Sequence, residues 1–472
     1  MYPIWEGVGT HSAMYVAIVA VFHVVASHLT VGAAWFNVYV ERKAYHENRP
    51  ELYEYLKRSA LGLQVFAYVF GAMSGVGIWQ ATTAANPRGI SGLIHNFVLV
   101  WGSEWYMFMI DVLGIIAYYY TLGRIDRRTH LRLAWILALG GTGTLTLIVG
   151  ILGFKLTPGL WLDNGEVLSG FFNPTFWPQF FLRLFLMLTI TGAWAILIAS
   201  RMKRDFAARA SIIRWAGIIG LGGLAAAMFV GRFWYWDNLT DHARDVLGSV
   251  AMPAITYQVI FGAVAVMFVG LLYAAVDPGR MTTFAALGLF VVLYTGIFGA
   301  ERTREILRKP DIISGYMSSN GLVFDAMEAR GVPDEEAPLN EHGMLGGLPF
   351  IPELVDIDVT GTEYPTAEVA AGRVLVTQQC ASCHSVSDQT ALPVFGNDLA
   401  LRPLDELFPD RMRTTDAAGI ELILGSLGGY SFMHEVVGTE EDHAAMAAYL
   451  EWLVAQDHPP AVAVDQAQED EP

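Results

Sequence analysis

The chain has 472 residues, a formal net charge of −17, 54% hydrophobic residues and two cysteines. Residues 1–310 carry a charge of +7 and most of the long apolar runs, whereas residues 311–472 carry −24 and no lysine. This division predicts a membrane-embedded first part and an acidic soluble second part. The acidic part excludes nucleic acid as an expected partner; it favours either docking to a basic protein, such as a basic cytochrome, or simple solubility.

Eight apolar stretches in the first part are long enough to cross the roughly 30 Å hydrocarbon core of a membrane. They lie at 11–40, 55–80, 92–121, 131–154, 176–200, 211–235, 251–276 and 281–300. We therefore predict an all-α protein with an eight-helix transmembrane bundle at 1–304. No basic segment precedes the first stretch and no small-residue cleavage site follows it, so we expect this span to remain in the membrane.

Basic residues concentrate in the loops at 41–58, 122–132 and 201–214. The excess of Lys and Arg in cytoplasmic loops places these three loops inside the cell. We therefore expect a multi-pass protein of a bacterial cytoplasmic membrane. Its N-terminus and, after eight spans, its C-terminal part are expected on the periplasmic side.

Several histidines fall inside the predicted spans, where polar side chains are costly and often functional. The first span carries His11, His23 and His28, and the outer end of the third carries His95. His23 and His28 are about 140° apart around a helix, so they face different neighbours. Each histidine is either a ligand or a buried group that hydrogen-bonds a neighbouring helix.

Two carboxylates, Glu104 and Asp111, lie seven residues apart on one face of the third span, and the fifth span contains Arg183. A carboxylate in the membrane can ligate heme iron, relay protons or pair with an arginine. The sequence leaves these three roles open.

The first span resembles a known helix. Phe22-His23 followed by Leu29-Thr30-Val31-Gly32 looks like the first helix of subunit I of cytochrome bd quinol oxidases. Weaker similarity follows at Gly71–Gly75, Ser103–Asp111 and Gly296–Arg304. The resemblance implies that His23 ligates a b-type heme, that Glu104 is a second candidate, and that a subunit II-like membrane partner exists. His11, His28 and His95 are further heme-binding candidates.

The chain also departs from that family. Arg183 and Phe261 fall where the family has the His and Met ligands of its low-spin heme, and Tyr294 falls where it has a Glu ligand. The outer loop that binds quinol is reduced to about residues 232–250. By this resemblance the low-spin heme and the quinol site are lost or rebuilt.

Prolines and glycines are frequent between residues 305 and 365. We interpret this stretch as a connector that lies on the membrane part or on a partner, since long structureless loops are uncommon. Residues 366–458 then form a small domain, and the acidic tail at 459–472 is expected to be disordered.

Cys380-Ala381-Ser382-Cys383-His384 contains both cysteines of the chain. Cys-x-x-Cys-His is the attachment pattern of a c-type heme, in which each thiol forms a thioether and the histidine ligates the iron. A structural zinc site is the alternative, but it needs four ligands, and no second Cys pair exists. The motif predicts one covalent heme c.

The surrounding residues resemble a class I cytochrome c. Helices are expected at 367–377, at 417–424 and from the N-cap Thr439 onward, and Leu392-Pro393 with Gly396 resembles the loop that packs against the heme. The family's second iron ligand precedes the last helix, which implies Met433, with His434 as the rival. Met446, inside the helix, is expected to pack in the core.

Three functions fit these observations. The first is a membrane electron-transfer subunit that passes electrons between heme c and b-type heme in the bundle. The second is a bd-like terminal oxidase that reduces oxygen with cytochrome c or quinol as donor, and the third is a structural anchor for the cytochrome. The first two make the chain an oxidoreductase subunit of a respiratory chain, with other membrane subunits, a soluble or membrane cytochrome and possible quinone as partners.

Basic residues from Arg302 to Lys309 either hold heme propionates or cap a helix.

Overall fold

The computed structural model describes residues 4–5, 12–203, 206–347, 363–386 and 403–457. The chain divides into two compact units. One is Ala13–Asp334, and the other joins Met1–Ser12 with Glu335–Pro472. The boundary therefore falls inside the predicted connector: residues 305–334 belong with the bundle, and residues 335–347 belong with the acidic unit.

Eight helical segments of the described residues are long and apolar enough to cross a membrane, which confirms the eight-span prediction. They are Ser12–His46, Leu52–Ala85, Val98–Thr121, Arg127–Leu156, Phe176–Ser200, Ala207–Asn238, Ala254–Val276 and Thr283–Ile306. The helices of this unit, in chain order, are α1 (Ser12–His46), α2 (Leu52–Gly62), α3 (Gly71–Ala85), α4 (Pro87–Asn96), α5 (Val98–Thr121), α6 (Arg127–Leu156), α7 (Trp161–Asn164), α8 (Val167–Phe171), α9 (Phe176–Ser200), α10 (Ala207–Val230), α11 (Asp241–Gly248), α12 (Ala254–Val276) and α13 (Thr283–Ile306).

The third span begins later than the predicted residue 92. Asn86 caps α4, where its side chain accepts a hydrogen bond from the amide of Gly89 at 2.5 Å, and Phe97 then leaves helical geometry with φ −120° and ψ 28°. The Phe97 ring is fully buried against Phe154, 5.0 Å away between centroids. Tertiary packing of this ring thus accompanies a break at a point where the chain has neither Gly nor Pro, and His95 lies on α4 rather than in the span.

The eighth span ends later than the predicted residue 300. The helix continues to Ile306, so the charged residues from Glu301 to Arg304 form its last turns instead of following it. Glu301, Arg302 and Glu305 are buried there. A run of charges at the end of an apolar stretch suggested an exit to water, but these charges pair with one another inside the fold.

Small residues bring the central helices into backbone contact. A Cβ on Gly192 of α9 would lie 2.8 Å from the Ala216 carbonyl oxygen of α10, and one on Gly217 would lie 2.8 Å from the Leu271 carbonyl oxygen of α12. Close approach of this kind is typical of helices that associate in membranes.

A cluster of buried polar side chains near the C-terminal end of α1 joins α1, α5 and α6. The imidazole of His130 contacts Glu41 (Nδ1 to Oε1, 2.6 Å) and the Tyr118 carbonyl oxygen (3.0 Å), and the Tyr118 hydroxyl donates to Glu41 Oε2 at 2.9 Å. Every polar atom of the Glu41 carboxyl and of the imidazole has a partner, which offsets the cost of burying them.

A small hairpin follows α13. Strands β1 (Asp311–Ile313) and β2 (Met317–Ser318) pair antiparallel, and Gly315 adopts φ +70° in the turn between them. Ile313 and Met317 are buried in the same hydrophobic cluster as Phe97 and Phe154. The start of the predicted connector is therefore a structured part of the bundle unit.

The second unit contains α14 (Glu336–His342), α15 (Met344–Gly347), α16 (Ala367–Cys380), α17 (Leu404–Leu407), α18 (Ala417–Leu424) and α19 (Glu440–Asp457). Three of these helices, α16, α18 and α19, match the helices expected from the sequence. A Cβ on Gly372 of α16 would meet the Ala445 carbonyl oxygen of α19 at 1.9 Å. Only glycine lets these two helices cross in backbone contact.

Candidate heme sites

The Cys-x-x-Cys-His motif begins on the last residue of α16. Thr366 caps the start of this helix, accepting from the Val369 amide at 3.2 Å. At its end the Cys380 carbonyl oxygen accepts hydrogen bonds from the amides of Cys383 (3.0 Å) and His384 (2.9 Å). The chain thus folds into one tight turn that brings both thiols and the imidazole next to the helix end.

Neither cysteine is paired in a disulfide, and both are partly buried. Burial raises the pKa of the Cys380 thiol to about 12, so the group is neutral at physiological pH. A thioether is neutral as well, and attachment to a heme vinyl group leaves no buried charge at this position. These properties fit a covalent heme c.

The loop before α19 carries the candidate axial ligand. The Gln379 side chain makes two hydrogen bonds with the backbone of Val437. Its Nε2 donates to the Val437 carbonyl oxygen (2.9 Å), and its Oε1 accepts from the Val437 amide (2.8 Å). Gln379 is the residue before Cys380, so this pair ties the loop containing Met433 and His434 to the heme-attachment turn. The sequence pattern did not single out Gln379, because a double contact with a distant backbone leaves no local signature.

The candidate methionines differ in their surroundings. Met433 is half-buried in the loop, where its amide donates to the Tyr430 carbonyl oxygen at 3.2 Å. Met446 is completely buried in α19, and its sulfur accepts a hydrogen bond from Gln379 Nε2 at 3.3 Å. Met446 therefore already has a packing role, which leaves Met433 as the better ligand candidate. Leu392, Pro393 and Gly396 lie outside the described residues.

His23 is held in an orientation that suits a ligand. Its Nδ1 contacts the Gly71 carbonyl oxygen of α3 at 3.0 Å, and because a carbonyl only accepts, Nδ1 carries the proton. The Nε2 lone pair is then free, and no hydrogen bond to it is found among the described residues. A hydrogen bond from one ring nitrogen to a carbonyl is the usual way to orient an iron-binding histidine.

A glycine also makes room for this ring. A Cβ on Gly75 would lie 3.1 Å from His23 Cε1, so a larger residue there would push the ring away from α3. The Ser74 hydroxyl lies 3.4 Å from Nδ1. The Gly71–Gly75 segment, singled out by the resemblance, thus shapes the seat of His23.

His28 faces a different neighbour, as its angular separation from His23 predicted. Its Nδ1 contacts the Val24 carbonyl oxygen at 2.8 Å, and its Nε2 accepts from Arg183 Nη1 at 3.4 Å. Both ring nitrogens are used, so His28 fits an iron ligand poorly. Arg183 pairs with this histidine rather than with Glu104 or Asp111.

The remaining candidate residues for heme binding have different surroundings. His95 is exposed on α4, with Nδ1 bonded to the Ser91 carbonyl oxygen at 2.8 Å, and His11 lies outside the described residues. Glu104 is half-buried. Asp111 is buried, and Cβ atoms on Gly140 or Gly141 of α6 would lie 3.3 Å from its carboxylate oxygens.

The positions that depart from the bd pattern have other contacts. Tyr294 packs against Phe22 (6.3 Å between ring centroids) and Phe290 (5.4 Å). Phe261 is 59% exposed on α12 and therefore faces outward. The structure thus gives the Tyr294 ring a role in aromatic packing.

A cationic cluster surrounds the end of α13. We define it as Lys155, Arg183, Arg304, Arg308 and Lys309, with the acids Glu301 and Glu305 among them. Glu301 bonds Arg304 at 2.6 Å, and Glu305 bonds Arg308. Arg183, Arg304, Arg308 and Lys309 alone outnumber the two acidic groups, so the cluster has excess positive charge.

This cluster has unused donors. Arg183 Nε and Arg308 Nε are buried and have no partner among the described residues, although both side chains are cationic. A buried donor of a cationic group that lacks a hydrogen-bond partner is costly, so a bound anion that accepts from these Nε atoms would stabilise the cluster. Glu301 also lies within electrostatic range of His23, which connects the cluster to that histidine.

Comparison with known proteins agrees with both halves of this description. Residues 369–454 match the family model for cytochrome c. Residues 369–454 form a cytochrome c domain. No curated protein matches the chain.

The fold of the bundle also has a solved relative. The chain is similar to a chain of "The structure of bd oxidase from Geobacillus thermodenitrificans", with a TM-score of 0.53 and 15% identity over 69% of this chain and 91% of that one. At this identity the likeness concerns the fold. A cytochrome c domain joined to an apolar helical bundle of this fold supports a role in membrane electron transfer.

Proposed function

We propose that the chain is a membrane electron-transfer subunit that passes electrons between heme c, attached at Cys380 and Cys383, and a b-type heme bound at His23. The observation that carries this proposal is the His23 ring. Its Nδ1 proton is committed to the Gly71 carbonyl oxygen at 3.0 Å, which leaves the Nε2 lone pair available to a heme iron. In heme c the iron ligands would be His384 and Met433.

The cationic cluster supports a heme in the bundle. A b-type heme carries two propionate carboxylates, and carboxylates match guanidinium donors in charge and geometry. Arg183 and Arg308 each have a buried Nε without a partner among the described residues. Two negative charges would offset most of the excess charge of the cluster. A purely structural anchor gives no reason to bury these groups.

The proposed orientation places the cytochrome domain on the outer side. Eight spans bring both ends of the bundle to one side, and the loops near residues 47–51, 122–126 and 201–206 carry or adjoin the basic residues typical of the cytoplasmic side. Heme c is attached outside the cytoplasm, so this orientation also agrees with the motif. Other membrane subunits and a cytochrome are the expected partners.

The test is replacement of His23 by Ala, followed by pyridine hemochrome analysis of the purified protein. We expect loss of b-type heme with full retention of covalent heme c. His95→Ala is the matched control, because His95 makes the same kind of Nδ1 contact but is exposed. Unchanged b-heme content in His23→Ala would remove the ligand assignment.

A carbon monoxide difference spectrum then separates electron transfer from oxidase activity. A six-coordinate b heme does not bind the gas, whereas an oxidase needs a heme with an open position. Carbon monoxide binding that disappears in His23→Ala would favour the bd-like terminal oxidase.

A further inference from the structure

Two helices ahead of the cytochrome c match belong to the same compact unit as the cytochrome. They are α14 and α15, and Gly343 joins them with φ +83°. Leu339 and Met344 are buried, so the pair is packed rather than loosely attached. We call residues 336–347 the N-terminal clamp.

The clamp contacts the turn that leads into α19. Asn340 Oδ1 accepts from the Gly438 amide at 2.9 Å, and the Met344 amide donates to Asp442 Oδ2 at 2.7 Å. Asp442 is buried and also accepts from the Thr439 amide at 3.2 Å. The clamp thus supplies one of the hydrogen bonds that keep this buried carboxylate satisfied.

The turn itself is closely packed. Gly438 adopts φ +140°, and a Cβ there would lie 2.7 Å from Asp442 Oδ2. Gly343 approaches the same oxygen, with a Cβ position 3.2 Å away. A side chain at Gly438 would therefore collide with the Asp442 carboxylate, and one at Gly343 would crowd it.

The same turn continues into the loop of the axial ligand. Gln379 of α16 holds Val437, His443 Nε2 of α19 contacts the Val436 carbonyl oxygen at 3.1 Å, and the clamp holds Gly438. Three consecutive residues are fixed by three different elements. All three contacts are made to the backbone, so they fix the path of the loop whatever its side chains are.

We propose that the N-terminal clamp positions the loop from Met433 to Gly438 and thereby keeps the axial ligand on the heme c iron. Asn340 is a positioning residue for this ligand. The proposal rests on the proposed ligation by Met433. It assigns residues 336–347 of the predicted connector a part in the redox centre rather than a spacer role.

The test uses the full-length membrane protein and the variants Asn340→Ala and Asn340→Asp. Asn340 is exposed, so neither variant threatens folding, and the aspartate keeps an acceptor oxygen for the Gly438 amide. In Asn340→Ala, the backbone amide hydrogen of Gly438 should exchange with solvent about tenfold faster. This variant should also weaken the near-infrared charge-transfer band of thioether-ligated ferric heme and increase carbon monoxide binding to ferrous heme c. Asn340→Asp should restore all three.

Two further variants keep the result decisive. Leu339→Ala removes the buried anchor of the clamp and should give a larger effect, whereas Glu341→Ala, exposed on the same helix, should give none. An unchanged band and unchanged carbon monoxide binding in both Asn340→Ala and Leu339→Ala would overturn the proposal. If Met433→Ala keeps the band, the ligand assignment fails instead, and exchange at Gly438 still reports whether the clamp holds the loop.

Discussion

The proposed heme sites of the two units are assembled from the chain in different ways. In the cytochrome c unit the attachment residues are five consecutive positions, and one turn after α16 brings them together. In the bundle, the proposed site takes His23 from α1, its carbonyl partner from α3 and Glu301 from α13. A local motif announces the first site, whereas the second becomes visible only after the helices have packed.

The largest expected effect is on covalent heme. In a Cys380→Ala, Cys383→Ala double variant no thioether can form, so the denatured chain should lose all heme staining. The b-type heme should remain, because its proposed site lies in the other unit. Full heme staining of the denatured double variant would contradict the assignment of the motif.

The next effect concerns the helix crossing in the cytochrome unit. Gly372→Val places a branched side chain against the Ala445 carbonyl oxygen, where even a Cβ would lie 1.9 Å away. We expect a loss of about 3 kcal/mol in the free energy of unfolding of this unit, or failure to fold. Thermal melting followed through the heme c absorbance measures it. Gly429→Val, at a site with open space, is the control and should change little.

Two methionines allow a sharper comparison within that unit. Met433→Ala should abolish the near-infrared thioether band while lowering stability only slightly, because Met433 is half-buried. Met446→Ala should keep the band but cost about 2–5 kcal/mol, because Met446 is fully buried. Band loss in Met446→Ala with retention in Met433→Ala would exchange the two roles.

The smallest effect is expected from a protease added to intact spheroplasts, which leaves the bundle itself unchanged. Cleavage within residues 311–365 should release the acidic unit into the medium, since the proposed orientation puts it outside. The structure narrows the expected cuts, because the hairpin at residues 311–318 is packed in the bundle. Protection in spheroplasts together with cleavage in inverted vesicles would reverse the orientation.

Sequence patterns predicted the elements well where one physical signal dominates. Long apolar runs gave all eight spans, and the Thr439 cap was confirmed by its 3.3 Å contact with the Asp442 amide. The break at Phe97 was missed because it accompanies ring packing, and the extension of α13 was missed because paired charges resemble an exposed end.

The candidate sites show the same limit. The angular separation of His23 and His28 predicted different neighbours, and the structure confirms Gly71 for one and Arg183 for the other. The sequence did not show that both nitrogens of His28 would be occupied while one of His23 stays open. Gln379 and Glu301 were missed as site residues, because their roles depend on contacts between distant segments.

The most direct test of the central claim is the heme stoichiometry of the purified, full-length protein. Acid–acetone extraction removes b-type heme and leaves heme c on the chain, and pyridine hemochrome spectra quantify both. We expect one heme c together with at least one b-type heme per chain, with the b-type fraction lost in His23→Ala. One heme c and no b-type heme would contradict it, and would make the bundle an anchor for the cytochrome.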